Sequence, residues 1–260
     1  MRRDAESELS LLRAAERAVR AGSPDAVERL VHLARTAEVG GDAWLFAHHQ
    51  LAEVAAPQDA WRAAILARRV VRARPEDAHG WALLGLACSL LGHTKSATAA
   101  YETALAHQPD NPYYAHNLGH LYDVGLDRLE EAVRWLARAV ALAPGDPEIA
   151  ASYAHALARA GRLPEARRVI RHVGRGGLAP HHEPLRRWIE GQSSETRSSE
   201  TRSSSSGPSE TSSSEASSSE ASSSDASTRP ADVGARGVGH RRSVAPPKRQ
   251  RRGTRNEPRG

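Results

Sequence analysis

Residues 81–109, WALLGLACSLLGHTKSATAAYETALAHQP, are followed by a stretch of similar pattern, residues 115–144, AHNLGHLYDVGLDRLEEAVRWLARAVALAP. The two stretches carry small, aromatic and proline residues at matching offsets, about 34 residues apart. A small residue such as Gly85 lets two antiparallel helices approach closely, while the larger Trp81 fills the space between them. Pro109 ends the second helix, because proline interrupts helical hydrogen bonding. The pattern therefore predicts a helical hairpin that is repeated along the chain.

The repeated pattern resembles the tetratricopeptide repeat family. The first stretch matches that family at Trp81, Leu84, Gly85, Gly92, Ala97, Tyr101, Ala104 and Pro109. The second matches, with one extra residue in the turn near 125–128, at Leu118, Gly119, Tyr122, Ala132, Leu136, Ala139 and Pro144. A weaker third copy has Tyr153, Ala154, Gly161, Ala166 and Ile170, and a faint upstream copy has Ala63, Ala67, Val70 and Pro75. The resemblance covers about residues 44–173.

The resemblance implies an all-α, right-handed solenoid of helical hairpins. A single hairpin cannot bury its own apolar face, so neighbouring hairpins must share a continuous core. We predict an N-terminal helical cap, four hairpins of which the first is degenerate, and a closing helix. Their predicted bounds are residues 1–43 for the cap, 44–77, 78–111, 112–146 and 147–174 for the hairpins, and 175–192 for the closing helix.

Charge is unevenly distributed along the 260 residues, whose net charge is +5. Residues 1–192 contain 24 Lys and Arg against 23 Asp and Glu. Residues 193–229 contain three against six, and residues 230–260 contain nine against two. The excess positive charge therefore lies at the C-terminal end, and the repeat region itself is not basic enough to indicate a nucleic-acid-binding fold.

The last two segments are predicted to be disordered. Residues 193–229 contain 19 serines and repeat the units SSETR, SSSEA and SSSDA, with too few apolar side chains to offset chain entropy. Residues 230–260 form a basic tail without a hydrophobic period, and its clustered cations are Arg241, Arg242, Lys248, Arg249, Arg251 and Arg252. The tail could make weak contacts with nucleic acid or an acidic surface, without aromatic rings for base stacking. A solvated tail without a partner is the alternative.

In the tetratricopeptide repeat family, the first helix of each hairpin lines a concave groove. The resemblance implies that the groove-facing residues are His79, Leu83, Tyr113, His116, Asn117, His120, Asp123, Glu148, Ser152 and His155, and the degenerate first hairpin adds His48 and His49. The predicted groove is therefore rich in histidine. We expect a peptide or a partner helix to lie in it.

The histidines raise two alternatives to plain recognition. His116 and His120 lie four residues apart, and therefore on one helix face. His155 takes the same repeat position as His120 on the next hairpin, and Asp123 could add an oxygen ligand, which would complete a zinc-like set. The same histidines could make the groove responsive to pH near neutrality. The main expectation remains a groove without metal or cofactor.

One well-known subset of the family binds the C-terminal carboxylate of chaperones through lysine and asparagine side chains. Asn117 stands where that subset has an asparagine. The basic partners are missing, because Ala82 and Leu86 occupy the first pair of positions. Glu148 would also repel a carboxylate. The sequence therefore does not favour chaperone-tail binding.

No enzymatic motif occurs in the sequence: there is no glycine-rich phosphate loop, HExxH, cysteine pair or GxSxG. The single cysteine, Cys88, falls at a position packed between repeat helices, which favours a reducing compartment. No continuous apolar run predicts a signal peptide or a membrane span. We therefore predict a non-enzymatic, cytoplasmic adaptor or scaffold that binds another protein, with nucleic-acid association through the basic tail as the alternative.

Overall fold

The computed structural model describes residues 2–174 and 180–192. These residues form α-helices joined by short turns and contain no strand. The helices are α1 (Arg2–Ala21), α2 (Ala26–Thr36), α3 (Asp42–Ala55), α4 (Ala60–Ala73), α5 (Ala78–Leu90), α6 (Thr94–His107), α7 (Pro112–His120), α8 (Leu129–Leu142), α9 (Pro147–Arg159), α10 (Leu163–Gly174) and α11 (183–192). The predicted all-α helical-hairpin solenoid is confirmed. The predicted linker 193–229 and tail 230–260 lie outside the described residues.

A capping side chain begins α5, α7 and α9 at the same repeat position. Asp77, Asn111 and Asp146 occupy this position, and each side chain accepts hydrogen bonds from backbone N–H groups of the following turn. Pro112 and Pro147 come next in α7 and α9, where the missing amide hydrogen has no intrahelical partner to lose. The recurring cap thus starts these helices in register with the repeat.

Glycines allow the two helices of a hairpin to pack closely. A Cβ atom added to Gly85 would lie 2.8 Å from Cε2 of the buried Tyr101. A Cβ atom added to Gly119 would lie 2.7 Å from Cγ of Leu136. The close approach of α5 to α6, and of α7 to α8, therefore depends on the absence of a side chain at these two positions, as the sequence pattern predicts.

The turn of the third hairpin, α7/α8, is wider than the turns beside it. Gly92 and Gly161 adopt positive φ in the turns of the second and fourth hairpins, where a glycine has no Cβ to clash. In the third hairpin the backbone N–H of Arg128 donates to the carbonyl of Tyr122, six residues earlier. The equivalent bonds in the second and fourth hairpin turns reach a carbonyl five residues earlier. The π-helical turn Leu121–Gly125 accommodates the extra residue.

The odd-numbered helices of the hairpins form the inner row of the solenoid. Within the described residues, α3 contacts α5 and α7 contacts α9, and α7 approaches α5 where the Tyr114 hydroxyl lies 3.5 Å from Nδ1 of His79. In the same part of the chain, successive even-numbered helices share no contact as extensive as those of α3 with α5 and of α7 with α9. The more closely spaced row lies on the inside of the curve. We call the surface formed by α3, α5, α7 and α9, together with the segment 180–192 that follows them, the concave row. The even-numbered helices of the hairpins, α4, α6, α8 and α10, are called the outer row.

The buried side chains form two main clusters. One surrounds α1, α2 and the first hairpin and includes Leu30, Leu33 and Trp44. The other runs through the later hairpins and includes Ile189 of α11, so that α11 covers the apolar face of the last hairpin. Cys88 is a buried free thiol, as predicted. None of the helices described has the length and apolar character needed to cross a bilayer.

Candidate functional site

Most of the predicted groove residues are at least partly accessible on the concave row. Tyr113 is 46% exposed and His120 is also exposed. The half-buried members are His79, His116, Asn117, Ser152 and His155, and Glu148 is exposed at the start of α9. These side chains come from α5, α7 and α9, so they present one surface to solvent.

Leu83 and His48 lie below this surface. Leu83 is only 4% exposed and packs in a small apolar cluster with Ala52 and Ala67. It fills the space left by these two alanines of the preceding hairpin, so its predicted contact with a partner is corrected to a role in the core. His48 is buried as well, and its Nδ1–H donates to the carbonyl of Trp44 at 2.9 Å.

Histidine side chains connect the first two hairpins across the concave row. His49 Nε2 lies 2.9 Å from Asp77 Oδ1, and His79 Nε2 lies 2.9 Å from Glu53 Oε1. The Tyr114 hydroxyl lies 3.5 Å from Nδ1 of His79. Burial and the nearby carboxylates of Asp77 and Glu53 raise the pKa of Tyr114 to about 12, so its hydroxyl stays protonated and can donate.

Two further hydrogen bonds fix the polar side chains of α7. His116 Nε2 lies 2.9 Å from the hydroxyl of Ser152 on α9, and the Asn117 amide donates to the Tyr101 hydroxyl at 3.1 Å. The rings of His116 and His120 stack with their centroids 6.4 Å apart. The middle of the concave row is therefore a set of oriented rings and amides rather than a set of freely rotating side chains.

Asp123, in the π-helical turn that follows α7, is a deeply buried charged group, at 1% exposure. His155 Nδ1–H donates to its Oδ2 at 2.6 Å, and Arg159 donates to its Oδ1 at 2.7 Å and to its carbonyl at 2.6 Å. Arg159 also reaches Asp127. Burial alone would raise the pKa of Asp123, but the bonds from His155 and Arg159 outweigh burial and hold that pKa below its usual range. The turn is thus bonded to the following hairpin.

Histidines that the sequence analysis missed lie at the end of the concave row. In the turn Pro180–His182, His181 Nε2 lies 2.7 Å from Glu148 Oε1 and His182 Nε2 lies 3.1 Å from Glu148 Oε2. Trp188 of α11 is 39% exposed, and its ring centroid lies 5.7 Å from that of His155. His182 follows Glu148 by one repeat length, so extending the 34-residue spacing into the closing segment would have found it.

The four predicted metal candidates do not converge as a set. His155 Nδ1 and Asp123 are hydrogen-bonded to each other, and His116 Nε2 is bonded to Ser152. In the part of the chain that the structure describes, the group of three side chains whose ligand atoms all lie within 4.8 Å of one another is Glu148, His181 and His182. The basic cluster at 241–252 lies outside the described residues.

We expect the free energy of unfolding to decrease as the pH is lowered from about 7 to about 5. Burial lowers the pKa of His48 and of His116 below the ordinary value of 6.5, because a buried imidazolium is poorly solvated. Both side chains regain their ordinary pKa on unfolding, so the unfolded chain binds more protons over this range and is favoured by acid. Urea denaturation at the two pH values measures the difference.

A matched pair of variants tests the origin of this pH dependence. His116→Gln should make the loss of stability between the two pH values smaller, whereas His107→Gln, at an exposed position on α6, should leave it unchanged. Equal stability of the unmodified protein at both pH values would contradict the expectation.

Sequence profiles of the tetratricopeptide repeat match residues 78–111 and 124–175. No curated protein sequence matches the chain significantly. MamA of Desulfovibrio magneticus RS-1 is similar in structure, with a TM-score of 0.56, 22% identity, and coverage of 66% of this chain and 98% of that chain. A thermophilic tetratricopeptide repeat protein of Thermus thermophilus gives a TM-score of 0.54 and 21% identity, covering 71% and 97%. YrrB, described as having an unusual peptide-binding site, gives 0.52 and 22%, covering 60% and 78%. At these identities the structural likenesses show the fold alone.

Proposed function

We propose that this chain, a tetratricopeptide repeat protein, is a non-enzymatic adaptor that holds an extended peptide or a helix of another protein against its concave row. The observation that carries the proposal is the exposed ring of Tyr113 beside half-buried hydrogen-bonding side chains of α7 and α9. A partner could bury that ring and form hydrogen bonds with Asn117 and Ser152 in the same contact. We place this contact in the cytoplasm, since the free thiol of Cys88 suits a reducing compartment.

The hydrogen bonds across the concave row support this proposal. The bonds of His116 to Ser152 and of Asn117 to Tyr101 already orient these side chains. Because these side chains of the concave row are already ordered, they lose less conformational entropy when a partner binds than mobile side chains would. Trp188 supplies a second exposed ring further along the row, and tyrosine and tryptophan are common energetic centres of protein interfaces.

The charges of the concave row indicate the chemistry of the partner. Carboxylates of Glu53, Asp77 and Glu148 lie along the row beside histidine side chains, whereas the carboxylate of Asp123 is buried and paired with Arg159. A neutral or basic segment would therefore meet a more complementary potential than an acidic one. YrrB, which shares the fold at 22% identity, is described as a protein of this family with an unusual peptide-binding site, so the fold is compatible with a peptide ligand.

Affinity capture with the full chain tests the proposal. The bait is compared with a Tyr113→Ala/His120→Ala variant, with Trp61→Ala as a control at an exposed aromatic position of the outer row, and with a tail variant in which the six clustered cations are glutamines. We expect one protein to be retained at high salt by the unmodified, Trp61 and tail baits. The groove variant should bind that protein at least about tenfold more weakly.

The opposite pattern would overturn the proposal. If capture is lost in the tail variant and kept by the groove variant, or if nucleic acid is recovered at low salt alone, binding belongs to residues 230–260.

A further inference from the structure

Three side chains of types that can ligate a metal come together where the turn before α11 meets the start of α9. Glu148 lies in the first turn of α9, and the turn Pro180–His182 brings two adjacent imidazoles to its carboxylate. His181 and His182 both direct Nε2 at Glu148, at 2.7 and 3.1 Å, one to each carboxylate oxygen. Ligand atoms from all three side chains lie within 4.8 Å of one another. A single cation could therefore contact all three after small side-chain movements.

Two imidazole nitrogens with one carboxylate oxygen form a ligand set that zinc uses when one coordination position stays open. Such a set would need little rearrangement here, because the two nitrogens already face the same carboxylate. Without a cation, both rings can donate to Glu148 only if each carries its proton on Nε2. A bound zinc ion would replace these two protons at the ligand atoms and would join the same three groups. We propose that Glu148, His181 and His182 bind one zinc ion.

The backbone and the core hold two of the three ligands in place. The Asp146 side chain caps α9 and accepts a hydrogen bond from the backbone N–H of Glu148 at 3.0 Å. The side chain of His182 is only 8% exposed. Its Nδ1 has no hydrogen-bond partner in the described residues, so the polar contact of this buried ring is the one made toward Glu148. The buried imidazole is thus directed into the site.

The other side of the site is open. The side chains of Glu148 and His181 are 59% and 62% exposed, so a bound zinc ion would keep a position for water or for a side chain of a partner. The ion would join the turn before α11 to α9 and so hold the closing segment against the last hairpin. The zinc site shares Glu148 with the concave row, but its three ligands all come from this chain, so zinc binding needs no partner.

Zinc titration of the metal-free, full-length protein by isothermal calorimetry tests the site. We expect one zinc ion per chain. The affinity should fall at least about tenfold in His181→Ala and in Glu148→Gln, because each removes a ligand. The matched control is His116→Ala/His120→Ala, which removes two histidines of the groove and should leave the affinity unchanged.

Thermal unfolding separates loss of the site from loss of the fold. His181 is exposed, so His181→Ala should melt at the same temperature as the unmodified protein when no metal is present. Zinc should then raise the melting temperature of the unmodified protein but not that of His181→Ala, because an ion that binds only the folded state stabilises it. The proposal fails if the chain binds no stoichiometric zinc, if both ligand variants bind zinc as the unmodified protein does, or if only the groove double variant loses it.

Discussion

Gly119→Ala is expected to lower the free energy of unfolding by about 2 kcal/mol. The added Cβ would lie 2.7 Å from Cγ of Leu136 and 3.1 Å from the Leu136 backbone nitrogen. A rotation of the leucine side chain cannot relieve the second contact, so α7 and α8 would have to move apart in a closely packed core. Urea denaturation followed by circular dichroism measures the loss.

Gly191→Ala is the matched control for this prediction. Gly191 also lies in a helix, α11, but no other atom of the residues that the structure describes lies within 4 Å of the position of its added Cβ. There the substitution should be neutral or stabilising by up to about 1 kcal/mol, because alanine has the higher helix propensity. If Gly119→Ala were as stable as the unmodified protein, the close approach of the two helices would be wrong.

Arg159→Ala is expected to cost about 3 kcal/mol of stability. Arg159 is the cation that faces the buried carboxylate of Asp123, and it also satisfies the Asp123 carbonyl. Among the described residues, the carboxylate would then keep the bond from His155 alone while it stays out of water, which is an expensive state for a charge. Chemical denaturation of the variant measures the cost.

A double-mutant cycle with Asp123→Asn isolates the Asp123–Arg159 pair. The two substitutions should be strongly non-additive, because removing either partner removes the same interaction. Arg162→Ala is the control, since its pair with Glu165 is partly exposed and local to one turn, and its loss should cost less than about 1 kcal/mol. Additive effects in the cycle would show that the buried pair does not stabilise the turn.

The hairpins could be predicted from the sequence because their determinants are local. Gly85 and Gly119 are required by close helix packing, and Pro112 and Pro147 mark helix starts whatever the neighbouring hairpins contain. The extra residue before Arg128 is visible as a spacing change. That it becomes a π-helical turn with a buried aspartate could not be predicted, because the turn is fixed by Arg159 and His155 of the next hairpin.

The groove was predicted less completely than the hairpins. Leu83 stands at a groove position of the family, but the small Ala52 and Ala67 leave room for it in the core. That exchange depends on the previous hairpin and not on the repeat position of Leu83. His181 follows from no repeat position at all, since it is brought to Glu148 by a turn outside the repeats.

Site-specific photo-crosslinking tests the central claim, that the concave row binds a protein partner, most directly. A benzophenone amino acid replaces Tyr113 on the concave row in one variant of the full chain, and Trp61 on α4 of the outer row in another, both being exposed aromatic positions. After irradiation in cells of the source organism, we expect one discrete protein adduct from position 113 and none from position 61. The same adduct formed equally at both positions, or no adduct at position 113, would contradict the account.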